Sequence, residues 1–230
     1  MTSGELADAT IVFDLDGTLV DTAPDLVRAL NETMDLEGLP RVKIATVRQM
    51  VGQGAQVLIE RAAALHDVTF STPRIEQLTE EFVKFYAADI ARESSLFPGV
   101  NDALDVLGGL GAKFAVCTNK RTALSEQLLE ALGLHHRFSA IVGADAVTAK
   151  KPSPEHFRTA VMQAGGVVRR SLMVGDTIAD VATARGAGAP VAVVRFGYCD
   201  ADAESLGADV ILDHFSDLAP ACRRLMTARP

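Results

Sequence analysis

Short apolar runs alternate with amphipathic stretches over most of this 230-residue chain. The runs are typical of strands buried on both faces, and the stretches between them repeat their apolar residues at helical spacing. The pattern predicts strands at 11–13, 113–118, 140–142, 172–174, 191–194 and 209–212, separated by helices at 100–107, 122–132, 154–164 and 178–186. Such alternation predicts an α/β fold, in which a parallel sheet is covered by helices on both faces.

Residues 23–93 break this alternation, because they contain no strand-like run. Thr22 and Asp25 have the spacing of a capping box, and Pro24 suits the first turn of a helix. The sequence therefore predicts a helical insert at 23–93 within an α/β domain made of residues 1–22 and 94–230. The apolar positions of the insert form three helical faces: Leu26, Leu30 and Met34; Ala55, Leu58, Ile59, Ala62 and Leu65; and Ile75, Leu78, Phe82, Phe85 and Tyr86.

The composition fits a globular domain and limits the classes of partner that it can bind. Hydrophobic residues make up 48% of the chain, and the formal net charge of −8 argues against binding to nucleic acid or anionic lipid. No apolar run is long enough to cross a bilayer, and the N-terminal segment lacks the features of a signal peptide. Cys117, Cys199 and Cys222 are scattered without metal-ligand spacing, which suits a reducing cytosol. We therefore expect a cytoplasmic protein without a nucleic-acid or membrane partner.

The first apolar run ends in an unusual cluster of polar residues. Asp14, Asp16, Gly17 and Thr18 follow Ile11–Phe13 directly. A strand that ends in an Asp/Gly turn is common, and packing alone explains it. Carboxylates at the edge of an apolar core are nevertheless costly unless a positive charge meets them. Mg²⁺ prefers such oxygen ligands, and an aspartate beside it can act as a nucleophile.

Two further predicted strands end in polar residues. Thr118, Asn119 and Lys120 follow one strand, and Asp176 follows another. Ligands of open α/β sheets bind beyond the carboxyl ends of the strands, so these side chains are expected to converge. Asp180 lies one helical turn after Asp176, where simple capping of a helix is the alternative interpretation.

Lys151 precedes Pro152, which favours an extended backbone and a side chain that projects from a loop. Ser153 and Pro154 then suit the start of a helix. Taken alone, a lysine of this kind is more often a solvated surface residue than a ligand.

Together these segments resemble the haloacid dehalogenase-like hydrolase superfamily, and the similarity covers nearly the whole chain. Within that superfamily the chain resembles the phosphoglycolate phosphatase group. The resemblance lies in Asp14-Leu15-Asp16-Gly17-Thr18-Leu19-Val20-Asp21-Thr22, Val51-Gly52-Gln53-Gly54, Phe97-Pro98-Gly99-Val100, Thr118-Asn119-Lys120, Lys150-Lys151-Pro152 and Phe196-Gly197-Tyr198.

The resemblance implies a Rossmann-like core, with the helical insert as a cap over the active site. It implies Asp14 as the nucleophile and Asp16 as the general acid and base. Thr118 and Lys151 are expected on the phosphoryl oxygens, with Asn119 in the same phosphate-binding set. The implied holders of Mg²⁺ are Asp14, the backbone carbonyl of Asp16, and Asp176, with Asp180 in support.

The substrate implied by the resemblance is a small phosphorylated metabolite, 2-phosphoglycolate first. Core residues that handle only the phosphoryl group cannot distinguish one monoester from another, so the insert is expected to select the substrate. Gly52 and Gly54 can let backbone N–H groups approach a carboxylate, and Arg48 can add a charged contact. A plain interhelical turn and a solvated arginine are the alternatives.

Other functions share parts of this pattern. A phosphatase, pyrophosphatase or phosphomutase of the same superfamily, acting on a sugar phosphate or on pyrophosphate, would use the same core residues. Asp16 argues against a dehalogenase, which in that superfamily lacks this second carboxylate. A phosphonate hydrolase needs a lysine in the cap, where Lys43 and Lys84 match no motif. A catalytically silent phosphate-binding regulatory protein is the non-enzyme alternative.

Overall fold

The computed structural model describes residues 4–198 and 202–227. Six strands form one parallel sheet in the order β5-β4-β1-β6-β7-β8, so that β1 lies at its centre. Their bounds are β1 Thr10–Phe13, β4 Lys113–Cys117, β5 Ala140–Val142, β6 Ser171–Gly175, β7 Val191–Val194 and β8 Val210–Leu212. The expected α/β fold and its parallel sheet are confirmed, including the sixth strand near the C-terminus.

Helices cover both faces of this sheet. They are α5 (Val100–Gly109), α6 (Thr122–Ala131), α7 (Pro154–Gln163), α8 (Ile178–Ala187) and α9 (Leu218–Thr227). Ile11 and Phe13 of β1 belong to an apolar cluster shared with α5, α6 and α9, whereas Val12 belongs to a second cluster with α7 and α8. This alternation is the period of two that an extended strand imposes.

The insert consists of four helices: α1 (Ala23–Asp35), α2 (Ile44–Arg48), α3 (Ala55–Ala64) and α4 (Thr72–Ala88). Helix α4 packs against α1 and α3. Leu30 and Leu78 of these helices join the same apolar cluster as Phe13, so the insert is packed onto one side of the core. The predicted helical content of residues 23–93 agrees with this arrangement.

A short antiparallel ribbon that the sequence pattern did not predict connects the insert to the core. In it, β2 (Val20–Asp21) pairs with β3 (Ser95–Leu96). The chain therefore enters and leaves the insert through adjacent strands. Two-residue strands carry too little periodicity to be recognised from sequence.

The capping box predicted at Thr22 and Asp25 is wrong. Thr22 makes no side-chain cap and instead donates its hydroxyl to Asp16 Oδ1 at 2.7 Å. Asp25 Oδ2 accepts hydrogen bonds from the backbone N–H groups of Glu93 and Ser94, at the far end of the insert. Tertiary partners thus outcompete the local cap.

Two further details of the helices differ from expectation. Helix α5 continues through Gly108 and Gly109, two residues beyond the predicted end at 107, because glycine weakens a helix by about 1 kcal/mol without ending it. Helix α9 was not predicted at all.

Cys117 and Cys222 are buried, and Cys199 lies outside the described residues. Within the described part of the chain, no helix has both the length and the apolar character needed to cross a bilayer.

Candidate active site

The central strand and its two neighbours bring the predicted residues together. Because β1 lies between β4 and β6, the segments that follow these strands are adjacent at the carboxyl edge of the sheet. Asp14 follows β1, Thr118 follows β4 and Asp176 follows β6, and all three side chains are buried. The convergence expected from the strand ends is therefore present.

Asp14 is held by only one of its two carboxylate oxygens. Oδ1 accepts the backbone N–H of Leu15 at 2.7 Å and lies 2.8 Å from Lys151 Nζ. Among the described residues, the structure gives Oδ2 no hydrogen-bond partner. One oxygen thus fixes the carboxylate, and the other remains available for chemistry.

Lys151 is a buried ion-pair partner rather than a solvated surface residue. Its Nζ lies 2.8 Å from Asp14 Oδ1 and 2.7 Å from Asp180 Oδ1. Although burial alone would lower the pKa of Lys151, the two neighbouring carboxylates raise it above its usual value. The lysine therefore remains charged throughout the physiological pH range.

His156 is a neighbour of Lys151 that the sequence analysis missed. Its Nδ1 accepts the backbone N–H of Lys151 at 3.1 Å, and its Nε2 lies 3.0 Å from the carbonyl oxygen of Val142. Nε2 is therefore the protonated nitrogen. Burial lowers the pKa of His156 to about 4, so the ring is neutral and fixes the loop that carries Lys151.

Asp180 both caps helix α8 and supports the site, so the two interpretations of this residue are compatible. Its Oδ2 accepts hydrogen bonds from the backbone N–H and the hydroxyl of Thr177, at 3.0 and 2.7 Å, within a complete capping box. Its Oδ1 pairs with Lys151. One carboxylate thus anchors the helix start and positions the lysine.

Asp176 is oriented from two sides. Oδ1 accepts the hydroxyl of Thr18 at 2.8 Å, and Oδ2 accepts the backbone N–H of Tyr198 at 2.8 Å. Gly17 lies against it with a φ of +81°, and a Cβ there would come within 2.5 Å of Asp176 Oδ2. The glycine of the first motif is therefore required by a left-handed backbone and by close approach to this carboxylate.

Three carboxylates form a group that can hold a cation. Oxygens of Asp14, Asp176 and Asp180 all lie within 4.8 Å of one another, and the three residues are buried. Burial, together with repulsion among these carboxylates, raises the pKa of Asp14 to about 6 and that of Asp176 well above its usual value. The donor set is composed of hard oxygen ligands, and its electrostatics favour a divalent cation such as Mg²⁺.

Asp16 lies outside this carboxylate group and faces the insert. Lys120 Nζ donates to its two oxygens at 2.7 and 3.0 Å, and the hydroxyl of Thr22 donates to Oδ1. Lys120 also lies over the ring of Tyr86 from helix α4, 4.5 Å from its centroid. Lys120 was not predicted as a site residue, although its position directly after Asn119 in the Thr118-Asn119-Lys120 motif was a usable signal.

Thr118 and Asn119 connect the strand ends to the insert. The hydroxyl of Thr118 accepts the backbone N–H of Lys120 at 3.3 Å. The amide of Asn119 donates to the carbonyl oxygens of Gly52 and Lys151, at 2.9 and 3.2 Å. Both residues line the cavity described below.

The predicted glycine turn of the insert meets the core directly. The carbonyl oxygen of Gly52 accepts a hydrogen bond from the Asn119 amide, and the carbonyl oxygen of Gln53 accepts one from Lys150 Nζ at 2.7 Å. Gly52 and Gly54 line the cavity. The structure therefore brings both glycines to the site, with two carbonyl groups of the turn directed at core side chains.

Arg48 is the predicted substrate-binding residue that the structure does not bring to the site. It is exposed, and its guanidinium donates to Asp21 Oδ2 at 2.8 Å. Asp21 Oδ1 accepts the hydroxyl of Tyr198 at 2.6 Å, and that hydroxyl oxygen accepts the backbone N–H of Ala23. Arg48 thus belongs to a polar cluster beside the β2–β3 ribbon.

A cavity of about 330 Å³ lies between the strand ends and the insert. Asp14, Asp16, Thr118, Asn119 and Lys120 line its core side. Its insert side is mainly apolar and is formed by Leu26, Val51, Ala55, Leu58, Phe82, Val83 and Tyr86. A small phosphorylated molecule fits a space of this size.

Known proteins resemble this chain in sequence and in fold. The family model for haloacid dehalogenase-like hydrolases matches residues 11–194. A phosphoglycolate phosphatase of Caulobacter vibrioides is 46% identical over 226 residues, which cover 98% of this chain and 95% of that protein. The crystal structure of a predicted phosphoglycolate phosphatase from Haemophilus somnus is 30% identical with a TM-score of 0.86, and the match covers 94% of this chain and 98% of that one.

A further solved structure, CbbY from Rhodobacter sphaeroides in complex with phosphate, is 27% identical with a TM-score of 0.79, and the match covers 94% of this chain and 99% of that one. These likenesses confirm the family, the fold and the enzyme class expected from the sequence, a phosphoric monoester hydrolase. The chain belongs to the haloacid dehalogenase-like hydrolase family.

Proposed function

We propose that this protein is a magnesium-dependent phosphatase that hydrolyses 2-phosphoglycolate to glycolate and phosphate through an aspartyl-phosphate on Asp14. The observation that carries the proposal is the state of Asp14, whose Oδ1 is fixed by Leu15 and Lys151 while Oδ2 has no partner among the described residues. A carboxylate held in this way at a strand end is suited to in-line attack. The relatives named phosphoglycolate phosphatase support the choice of substrate.

In the first step, Asp14 Oδ2 attacks the phosphorus atom and the bond from phosphorus to the ester oxygen breaks. The leaving oxygen takes a proton from Asp16, which lies on the insert side of Asp14. Lys151 and Thr118 bind the phosphoryl oxygens and offset their negative charge.

In the second step, water attacks the phosphorus of the aspartyl-phosphate. Asp16, now ionised, accepts a proton from that water, and Asp14 leaves as a carboxylate. Lys120, which pairs with Asp16 in this structure, and Thr22 hold the Asp16 side chain in place. Phosphate then leaves the cavity.

Mg²⁺ fits the group of carboxylates formed by Asp14, Asp176 and Asp180. These three carboxylates exceed Lys151, the lysine that pairs with two of them, by two formal negative charges. Bound there, the ion supplies the positive charge that lets an anionic nucleophile approach a phosphate dianion. Asp14 and Asp176 are the proposed ligands together with the Asp16 carbonyl, and Asp180 supports them.

We assign residues 23–93 as the cap and residues 1–22 and 94–230 as the catalytic core. The insert covers the cavity, and several of its contacts with the core are made by exposed polar groups, such as the ion pair between Glu80 and Arg121. Exposed pairs of this kind are worth at most about 1 kcal/mol, so a cap can open and reclose over them. Within the cap, Gly52 and Gly54 are the proposed substrate contacts.

Phosphate release from a panel of monoesters tests the proposal. The panel contains 2-phosphoglycolate, a sugar phosphate, pyrophosphate and p-nitrophenyl phosphate, each with and without Mg²⁺. We expect 2-phosphoglycolate to have the highest kcat/KM, and Asp14→Asn to lose activity on every member by several orders of magnitude. A sugar phosphate or pyrophosphate at the top of the panel would overturn the substrate, and near-normal turnover by Asp14→Asn would overturn the mechanism.

A further inference from the structure

A buried phenol without a partner lies at the insert side of the cavity. Tyr86 of helix α4 is fully buried, lines the cavity, and its hydroxyl has no hydrogen-bond partner among the described residues. An unpaired buried hydroxyl costs about 1–3 kcal/mol. Phe82, one helical turn earlier, lines the same wall and stacks on Tyr86 with nearly parallel rings at a centroid distance of 6.2 Å. Packing alone does not require the hydroxyl, because a phenylalanine at position 86 would fill the same space.

Lys120 is the buried cation that faces this phenol. Its Nζ pairs with Asp16 and lies 4.5 Å from the centroid of the Tyr86 ring. The other buried lysine of the site, Lys151, is enclosed between Asp14 and Asp180. The two lysines therefore pair with different carboxylates, Lys151 with Asp14 and Asp180 and Lys120 with Asp16, and Lys120 is the one that lines the cavity.

We propose that Tyr86 and Lys120 together bind the carboxylate at the far end of the substrate. This inference rests on the proposed function, because it takes the phosphoryl end to be at Asp14. The Tyr86 hydroxyl donates one hydrogen bond, and the Lys120 ammonium, which has three N–H donors, contacts the substrate as well as Asp16. Tyr86 belongs to the cap and Lys120 to the core, so the subsite is complete only when the cap lies over the core.

The surrounding wall explains why a carboxylate is favoured over a sugar. Leu26, Leu58, Phe82 and Val83 make most of this wall apolar and offer no hydrogen-bonding groups to the several hydroxyls of a sugar, and Gln56 and Thr79 are its polar side chains besides Tyr86. Hydroxyls buried against such a wall would lose their hydrogen bonds to water without replacement. A single compact anion needs only the donors that Tyr86 and Lys120 present.

The test compares two substrates that differ only at the far end. 2-Phosphoglycolate carries a carboxylate there, and 2-hydroxyethyl phosphate carries a hydroxymethyl group on the same two-carbon frame. Tyr86→Phe removes the phenolic oxygen and keeps the ring over Lys120. We expect kcat/KM for 2-phosphoglycolate to fall about 10- to 100-fold, as for a lost hydrogen bond to a charged group, while the value for 2-hydroxyethyl phosphate changes less than about threefold.

Phe82→Leu is the matched control, since it alters the same wall without a polar group. We expect it to change kcat/KM for both substrates by the same factor. Thermal melting shows whether each variant is folded, and competitive inhibition by glycolate adds a readout without turnover, with weaker inhibition of Tyr86→Phe expected. Equal effects of Tyr86→Phe on both substrates would overturn the subsite and leave the phosphatase assignment intact. A wild-type protein that releases phosphate from neither substrate would overturn both.

Discussion

The core side of the cavity and the cap side are built in opposite ways. On the core side, every site carboxylate is held by named partners: Asp14 by Leu15 and Lys151, and Asp176 by Thr18 and Tyr198. On the cap side, the wall is mainly apolar, and the Tyr86 hydroxyl accepts or donates no hydrogen bond among the described residues. A prearranged polar site can stabilise a transition state without reorganising. This contrast is the one expected from our proposal that the core carries out the chemistry and the cap selects the substrate.

The largest effect expected from breaking the core side is that of Lys151→Met. This variant removes the cation between Asp14 and Asp180, so the phosphoryl group loses its positive partner and the carboxylates repel one another. We expect kcat to fall about 10³-fold on 2-phosphoglycolate and on p-nitrophenyl phosphate alike. Steady-state phosphate release measures both values.

An exposed lysine at the other end of β4 provides the control for that variant. Lys113 is the first residue of β4, away from the carboxyl ends of the strands, and its Nζ donates to the carbonyl oxygen of Gly165 at 2.9 Å. Lys113→Met should therefore keep kcat within about fivefold of the wild type, as for a surface contact worth at most about 1 kcal/mol. Comparable losses in the two variants would mean that burial between the carboxylates does not distinguish Lys151.

The response to Mg²⁺ tests whether the buried carboxylates of the core side bind a cation. Mg²⁺ should raise the melting temperature by about 5 °C when it is present at 100 times its Kd, because it binds the folded state and relieves repulsion at Asp14 and Asp176. Asp176→Asn should lose most of this shift, whereas Asp102→Asn, at an exposed position on α5, should keep it. Excess chelator should abolish turnover, and Ca²⁺ should inhibit because its longer bonds misplace the nucleophile. A melting temperature indifferent to Mg²⁺ would contradict the proposed site.

Gly54 tests whether the turn of the cap must approach the core closely. It has a φ of +95°, and a Cβ there would lie 3.3 Å from the carbonyl oxygen of Asn119. Gly38, also in the insert, has a φ of +64° and nothing within 4 Å of the same position. With a ψ of 169°, Gly54 also lies in a backbone region that is essentially restricted to glycine, so Gly54→Ala strains the backbone by about 1–3 kcal/mol, against about 1 kcal/mol for Gly38→Ala. The close approach is therefore judged from kcat/KM at a temperature at which both variants are folded.

For Gly54→Ala we expect kcat/KM for 2-phosphoglycolate to fall about tenfold, against less than about twofold for Gly38→Ala. The melting temperature should decrease more for Gly54→Ala than for Gly38→Ala, because its backbone strain is larger. Matching kinetic losses would show that the turn acts only through the stability of the insert.

The smallest effect is expected for Arg48→Ala. The ion pair of Arg48 with Asp21 is exposed, so its loss should lower the free energy of unfolding by less than about 1 kcal/mol. Values of KM for 2-phosphoglycolate and p-nitrophenyl phosphate should change together. A selective rise in KM for 2-phosphoglycolate would instead restore the substrate contact predicted from the sequence.

The sequence was most informative where function forces polar residues into apolar surroundings. Asp14, Asp16 and Asp176 stand out because each follows a buried strand, and strand order then brings Asp14 and Asp176 together. Lys151 was recognisable through the family motif, whereas its own surroundings in the sequence suggested a surface residue. Buried polar residues at strand ends can thus be identified from the sequence, whereas the residues with which they form hydrogen bonds or ion pairs cannot.

The unpredicted contacts around the site join distant parts of the chain. Tyr198 reaches Asp176 and the ribbon at Asp21 only after the sheet has formed. Tyr86 was placed correctly on an apolar helix face, and its apolar spacing concealed the role of the hydroxyl. Thr22 has the local signature of a cap, but the carboxylate of Asp16 is the better partner for its hydroxyl. The spacing of apolar residues indicates which face of a helix is buried, but it does not identify the residues against which that face packs.

The covalent role of Asp14 is the central claim, and rapid-quench analysis during a single turnover tests it most directly. Radiolabelled 2-phosphoglycolate is mixed with excess protein and Mg²⁺, the reaction is stopped with acid, and the peptide that contains Asp14 is isolated. The account predicts a phosphoryl label on that peptide, which appears before free phosphate and decays as phosphate is released. It also predicts no label in Asp14→Asn. Phosphate release at the normal rate without any label on the Asp14 peptide would contradict the account.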